Sequence, residues 1–138
     1  MIIDATNAIL GRMASVAAKR ALLGENVNIV NCEKAVVTGN RLQVLAKFKQ
    51  KFDRGIPLQG PYFPKQSDRI VRRVIRGMLP FKRSRGRIAY KKVMCYVGVP
   101  EKFASQKLEK IESADISKLT YLKYVYMSDI VRMLGGKA

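Results

Sequence analysis

The segment SDRIVRRVIRGML, residues 67–79, carries the clearest fold signal in the chain, and a proline follows it directly. Its basic residues repeat at the i, i+3, i+4, i+7 spacing of one helical face: Arg69, Arg72, Arg73 and Arg76. Its apolar residues fall almost opposite: Ile70, Val71, Val74, Ile75 and Met78. The pattern predicts an amphipathic helix that packs one face on a core and presents four guanidinium groups on the other.

Apolar runs on both sides of this helix predict strands. The clearest is VMCYVGV at 93–99, which Pro100 ends, and the others are MIIDA at 1–5 and VNIVN at 27–31. AVVT at 35–38 extends the apolar pattern of the latter. Helices are predicted between them, so strands and helices alternate. This order predicts an α/β fold with a mostly parallel sheet.

Capping residues place the other helices. Thr6 and Asn7 are expected to cap a helix over 8–23, with Lys19 and Arg20 in its last turn and Gly24 just after it. A second helix is predicted over 41–52, after a turn at Gly39-Asn40. A short last helix is predicted to start at Ser128 or Asp129 and to close at Gly135-Gly136.

The remaining segments read as connections within one domain spanning residues 1–138. The stretch 55–64 holds two glycines and three prolines and is expected to be a loop. Residues 81–92 read as a basic connector with a helical turn near the end. Residues 101–120 are expected to form a peripheral arm, and residues 121–138 a C-terminal extension with the short last helix.

Charge is distributed very unevenly along the chain. Residues 47–92 hold 15 of the 27 lysines and arginines but only two of the ten acids, a net charge of +13, while each flank carries +2. Such a segment favours contact with a polyanion: nucleic acid first, and a membrane surface second. A solvated basic face is the alternative for the helix, but it has no interleaved glutamate to neutralise its arginines.

The expected polyanion contacts are the basic residues of this segment and one arginine of the first helix. In the connector, Gly86 is expected to let the backbone approach its partner closely. The arginines and the aromatic rings of Phe81 and Tyr90 are expected to stack on bases. Arg12 suits a phosphate contact and a plain exposed position equally well. The predicted RNA-binding residues are Arg12, Lys47, Lys49, Lys51, Arg54, Lys65, Arg69, Arg72, Arg73, Arg76, Lys82, Arg83, Arg85, Arg87, Lys91 and Lys92.

Catalytic, cofactor and metal sites find little support in the residues. The chain has no histidine and two cysteines, Cys32 and Cys95, which are expected to be buried reduced thiols. An isolated acid pair such as Asp4 and Glu33 lacks supporting spacing, and the loop 55–64 has no phosphate-loop pattern. In DATNAILGR only Gly11 fits a dinucleotide fingerprint, so a tight helix–sheet contact is expected there. With no signal-like or membrane-spanning run, we expect a soluble cytoplasmic protein.

Three motifs, in order, carry a resemblance to a known family. DATNAILGRMAS at 4–15, IVNCEKAVVTGNR at 29–41 and VIRGMLPFKRSRGR at 74–87 resemble the ribosomal protein thirteen family of the large subunit, in its archaeal form. The resemblance runs from Ile3 to about Pro100, is weakest over 101–120 and returns in KYVYMSDIVRMLGG at the C-terminus.

The resemblance implies a three-layer α/β/α fold with a parallel sheet of about four strands. It also implies a structural role in the large subunit and in its early assembly, without catalysis or a cofactor. The implied partners are large-subunit ribosomal RNA and neighbouring ribosomal proteins, and not a membrane or a small-molecule substrate. In RGMLP, the glycine and proline would turn the chain from the basic helix into the connector. Two alternatives remain: a nucleotide-dependent α/β enzyme acting on RNA, and a regulatory RNA-binding module outside the ribosome.

Overall fold

Six α-helices and five β-strands are present in residues 1–136, the part of the chain that the computed structural model describes. The strands are β1 (Ile2–Asp4), β2 (Val27–Val30), β3 (Val36–Thr38), β4 (Val93–Cys95) and β5 (Tyr124–Tyr126). The helices are α1 (Leu10–Leu22), α2 (Arg41–Asp53), α3 (Ser67–Met78), α4 (Ser84–Lys91), α5 (Glu101–Ala104) and α6 (Met127–Met133).

A parallel sheet in the order β1-β2-β4 forms the centre of the fold. Ile29 of β2 pairs with Ile3 on one side and with Cys95 on the other. The chain reaches β2 from β1 through α1, and it reaches β4 from β2 through a long crossover that contains α2, α3 and α4. The predicted α/β class and parallel pairing are confirmed.

In residues 1–136 the parallel sheet has three strands, and not the expected four or so. The AVVT run forms β3, which leaves the parallel sheet and pairs antiparallel with β5, a strand that was not predicted. The reason is local: Asn31 adopts a left-handed conformation at φ +56° and turns the chain out of the sheet after β2. The three-layer arrangement implied by the resemblance stays a prediction.

The apolar run at 93–99 supplies a much shorter strand than predicted. Only Val93–Cys95 forms a strand, and Val97 and Val99 are exposed. Gly98 has a left-handed φ of +65°, and its N–H donates to the Glu33 carboxylate at 3.0 Å. The backbone therefore loses its strand geometry after Cys95, although Tyr96 and Gly98 still make backbone hydrogen bonds to the end of β2 and the residues after it.

Helix α1 ends as predicted but begins differently. Gly24 (φ +101°) and Glu25 donate their N–H groups back to the carbonyls of Ala21 and Arg20, which is the glycine-ended turn expected there. At the other end, Thr6 and Asn7 do not cap the helix: Ile9 is the cap residue and no side chain accepts from the first turn. Thr6 is instead engaged by Asp4, through its N–H and its hydroxyl.

The core lies where α1 and α3 pack against each other and against the sheet. α1 contributes small buried residues, Ala14, Ala17, Ala18 and Ala21, which let α3 approach closely. α3 contributes Ile70, Val71 and Ile75, as predicted. The prediction for Met78 is wrong: it is 42% exposed and lines a surface groove beside Leu23, while Leu79 just after the helix is buried in the core.

The basic connector is more ordered than predicted, because its second half is the eight-residue helix α4. Gly86, in the first turn of α4, is buried against the backbone of Pro80, and a Cβ there would collide with the Pro80 carbonyl. The predicted close approach at Gly86 is thus made within the protein. Gly77, by contrast, lies inside α3 with open space around it, so the turn after α3 depends on Leu79, which is extended, and on Pro80.

The predicted arm, residues 101–120, passes the edge of β1 and the start of α1. In the predicted arm, Glu109 exchanges backbone hydrogen bonds with β1 at Ile2 and Asp4, and the Ala114 carbonyl accepts from the Ile9 N–H at 2.6 Å. Helix α6 begins at Met127 after Tyr126, so neither Ser128 nor Asp129 is its cap residue.

No helix in residues 1–136 is both long and apolar enough to cross a membrane.

Candidate nucleic-acid interface

The predicted RNA-binding residues all reach solvent. Arg72, Arg73 and Lys92 are half-buried, and the other thirteen are exposed: Arg12, Lys47, Lys49, Lys51, Arg54, Lys65, Arg69, Arg76, Lys82, Arg83, Arg85, Arg87 and Lys91. Apart from Arg12 of α1 and Lys92, which directly follows α4, they lie on α2, α3, α4 and the two segments that join these helices. We call residues 47–92 the basic segment.

None of the fifteen cations in the basic segment forms an ion pair within the part of the chain that the structure describes. The two ion pairs found there lie outside it: Arg20 with Glu25 at 3.2 Å, and Arg41 with Asp129 at 3.7 Å. The charge of the basic segment is therefore not neutralised inside the protein. An anion that approaches the protein is therefore attracted by this positive charge.

Aromatic rings hold two arginines of α3 on the side that faces α4. The Arg72 guanidinium lies 4.5 Å from the ring centre of Tyr90, and the Arg76 guanidinium lies 5.3 Å from that of Phe81. The two rings meet edge to face at 5.3 Å. These two aromatic residues, which were expected to stack on bases, each have one face occupied by an arginine instead.

The same arrangement recurs on the side that faces α2 and the loop. Arg73 lies 5.0 Å above the Phe63 ring, and its Nη1 donates to the Tyr62 carbonyl at 3.2 Å. The lysines Lys51 and Lys65 lie 5.4 and 4.7 Å from the ring centres of Phe48 and Phe52, respectively. The loop at 55–64 thus supplies part of the support for the arginine face of α3.

These contacts orient the cations more than they stabilise the protein. Each exposed cation–ring contact contributes roughly 0.5–1 kcal/mol. Its larger effect is to restrict a long flexible side chain before any ligand arrives, which lowers the entropy lost on binding. The Arg72 Nε is shielded from solvent and has no hydrogen-bond partner within residues 1–136, so this guanidinium also keeps an unneutralised charge.

Two further predicted residues, Lys92 and Arg12, donate hydrogen bonds to distant backbone carbonyls. The Lys92 Nζ donates to the Gly24 carbonyl at 2.7 Å and so satisfies the C-terminal end of α1. Arg12 donates to the Ser113 carbonyl at 3.2 Å. Arg12 also lines a surface groove with Lys123, and Arg85 lines another with Lys19. Lys19 and Lys123 were not predicted, since no local pattern links residues so far apart in sequence.

The acids considered for catalysis have structural partners. The Asp4 carboxylate accepts from Thr6 and, at 2.9 Å, from the Asn31 Nδ2. Burial works against ionisation of Asp4, but these hydrogen bonds outweigh it and hold the pKa of this carboxyl below its ordinary value. Glu33 accepts from Gly98 on the other side of β2, so its carboxylate also serves the fold.

Cys32 and Cys95 are buried and form no disulfide, as predicted. A hydrogen bond with the Cys95 thiol and burial raise the pKa of Cys32, so this sulfur stays protonated and unreactive. Within residues 1–136, no three Cys, Asp or Glu side chains come together as metal ligands would.

The prediction of a tight helix–sheet contact at Gly11 is wrong: this glycine is exposed, and a Cβ there would have no atom within 4 Å.

Comparison with known proteins matches this chain over nearly its whole length. The family "Ribosomal protein L13" matches residues 1–102. The protein named large ribosomal subunit protein uL13 of Archaeoglobus fulgidus is 47% identical over 135 residues, covering 97% of this chain and 86% of the relative. The protein of the same name from Methanosarcina barkeri is 44% identical over 137 residues, covering 99% and 98%. The chain therefore belongs to the ribosomal protein L13 family, whose members are non-enzymatic structural constituents of the large ribosomal subunit.

Proposed function

We propose that this chain binds large-subunit ribosomal RNA through the arginine face of α3 and the connector that ends in α4, and that it supports early assembly of the subunit. Neighbouring ribosomal proteins would pack on the less charged surfaces. The protein would act by holding RNA segments in place, and no bond would be made or broken.

One observation carries this proposal: the fifteen cations of the basic segment are accessible and unpaired within residues 1–136. Like charges so close together destabilise a free protein, which makes this arrangement favourable mainly beside an anion. RNA supplies phosphates at regular spacing, and releasing their condensed counterions drives binding. Arginine suits this role, since its planar fork donates two parallel hydrogen bonds to a phosphate.

Binding in duplex regions should depend on RNA shape and not on base identity. The basic segment has three glutamines and no asparagine, so few side chains are suited to reading base edges. The major groove of A-form RNA is also too narrow for side chains to read. Exchanging base pairs while keeping the RNA fold should leave affinity nearly unchanged, and a loss of binding would contradict this proposal.

The decisive experiment replaces Arg72, Arg73 and Arg76 together by Gln. Helix propensity is similar and relief of like-charge repulsion offsets the lost ring contacts, so thermal melting should change little. If all three arginines neutralise phosphates, the log–log salt slope of RNA binding should fall by about two to three units. Incorporation into large subunits, measured by co-sedimentation after a high-salt wash, should fall too.

A matched control removes the same charge elsewhere. Lys102, Lys107 and Lys118 are exposed and lie outside the basic segment, and their replacement by Gln should leave the salt slope nearly unchanged. Equal effects of the two triple variants would mean that net charge, and not this surface, drives binding. An arginine triple that melts early would show that this face is structural.

A further inference from the structure

A groove of about 390 Å³ opens between the C-terminal half of α2, the loop at 55–64 and the outer side of α3. Its walls are apolar and partly aromatic: Phe48, Phe63, Ile70 and Val74. The rings of Phe48 and Phe63 meet edge to face, with their centres 6.2 Å apart, and both rings border the groove. The volume lies at the lower end of the range of small-ligand pockets.

Three cations form the rim of this groove: Lys51, Arg54 and Arg73. No acid lines the groove, and within residues 1–136 none of the three cations forms an ion pair. Two of them rest on the rings that line the walls, Lys51 on Phe48 and Arg73 on Phe63. The apolar walls and the positive rim are therefore parts of one arrangement, already formed without a ligand.

The charge of the rim decides which occupant fits. An apolar side chain from a neighbouring protein would fill the walls but would cover three cations without supplying an anion, which is costly. An unpaired nucleotide supplies both parts, since its base is a planar ring and its flanking phosphates are anionic. Proteins bind unpaired RNA in this way, with bases stacked on aromatic or arginine planes and phosphates on basic residues.

We propose that this groove holds one unpaired nucleotide of the RNA, with its base between Phe63 and Val74 of α3 and its phosphates on Lys51, Arg54 and Arg73. The inference rests on the proposed function and deepens it, because it assigns single-stranded RNA to one part of the basic segment. Duplex RNA would then contact the remaining cations, on α4 and the connector.

The test blocks the groove without changing charge. Gly77 lines the groove from α3, and a Cβ at this position meets no atom within 4 Å, so Gly77→Leu should place a side chain in the groove without strain. Gly77→Ala is the matched control, since it removes the same glycine but adds one methyl group. Thermal melting of both variants checks that the fold is kept, and neither should melt below the parent protein.

Two RNA probes separate the groove from the rest of the surface: a short single-stranded oligouridylate carrying one fluorescent base analogue, and a blunt duplex with the same number of phosphates. Gly77→Leu should weaken binding of the single strand by roughly 5- to 100-fold, the contribution of one stacked base. It should leave duplex binding and both salt slopes unchanged. The analogue should be quenched by the parent protein and by Gly77→Ala, but not by Gly77→Leu.

Undiminished single-strand binding by Gly77→Leu would overturn the inference and would leave the groove to another occupant, such as a protein side chain. A third variant keeps this outcome distinct from failure of the proposed function. Replacing Arg83, Arg85 and Arg87 by Gln should weaken binding of both probes, because these cations belong to the proposed RNA surface but lie outside the groove. If that variant binds both probes normally, the proposed RNA surface itself is wrong.

Discussion

Residues 1–46 and the basic segment, residues 47–92, are equal in length but differ in whether their charged side chains find partners within the protein. In the first, several charged groups are satisfied within the protein, such as Asp4 by Thr6 and Asn31, and Arg20 by Glu25. In the second, five of the fifteen cations lie on aromatic rings, which position them but leave their charge in place. The first region uses its polar side chains to build the fold, and the second keeps them for a partner.

The two regions nevertheless share one core, because α3 belongs to both the core and the charged surface. Its buried face packs against α1, while its arginine face rests on rings from α4 and the loop. Changes in the buried face should therefore alter stability, and changes in the rings should alter binding. The predictions below test this separation, beginning with the largest effect.

Replacing both Ile70 and Ile75 by Ala should come close to unfolding the domain. Both side chains are fully buried between α3 and its neighbours, and each truncation costs about 2–5 kcal/mol. Urea or thermal unfolding measures the loss. The control is Met78→Ala on the same helix, which should change the free energy of unfolding much less because Met78 is already 42% exposed. Comparable losses would contradict the assignment of the two faces of α3.

Gly86→Ala should destabilise the connector between α3 and α4, within the basic segment. A Cβ at this position collides with the Pro80 carbonyl, and the backbone would have to shift at a cost of about 1–3 kcal/mol. Gly77→Ala, with open space around it, should be neutral or slightly stabilising. Thermal melting of the two variants compares them directly. If Gly86→Ala melts like the parent protein, the connector is not held in the position described.

Asp4→Asn should weaken the first region and change its response to acid. The hydrogen bonds to the Asp4 carboxylate are worth about 1–3 kcal/mol. Because the pKa of Asp4 is lowered in the folded state, this stabilisation is present above its ordinary value of 3.8 and is lost as the pH falls through the lower, folded-state value. The parent protein should therefore lose this contribution below about pH 4, and Asp4→Asn should lack that part of the acid transition. Identical pH profiles would show that Asp4 does not contribute.

Tyr90→Leu should have the smallest effect, and mainly on binding. The change keeps an apolar side chain but removes the ring beneath Arg72, so RNA affinity should fall about two- to fivefold. The salt slope should stay the same, since no charge is removed. Tyr96→Leu is the control: Tyr96 is also half-buried but packs against Phe103 and not against a cation. A lower salt slope for Tyr90→Leu would mean that the ring does more than orient Arg72.

Periodicity was sufficient to predict the parts of the fold that repeat regularly along the chain. It predicted α1, α2 and α3, the strands β1, β2 and β4, and the buried side chains Ile70, Val71 and Ile75. The strand β5 was missed although β1 and β4 are equally short, because those two lie in longer apolar runs, MIIDA and VMCYVGV. The many cations around α4 obscured its helical spacing. Met78 fits the apolar stripe of α3 but is 42% exposed, while Leu79 just after the helix is buried.

The chemistry of the candidate interface was predictable, but its geometry was not. Counting charges was enough to single out the basic segment. The pairing of Arg72 with Tyr90 or of Arg73 with Phe63 joins residues on different elements, and no spacing rule links them. Whether the sixteen predicted residues contact RNA stays a prediction, which the arginine triple variant tests most directly.

The long crossover from β2 to β4 has a consequence for how the protein reaches its native state. These two strands are sheet neighbours, yet the whole basic segment lies between them in the chain. Their pairing is a contact of high sequence separation, which slows folding, and it must be made while like charges crowd together. We expect the free chain to fold slowly at low ionic strength and faster as salt rises. RNA, by neutralising the crossover, would then speed the folding of the protein that binds it.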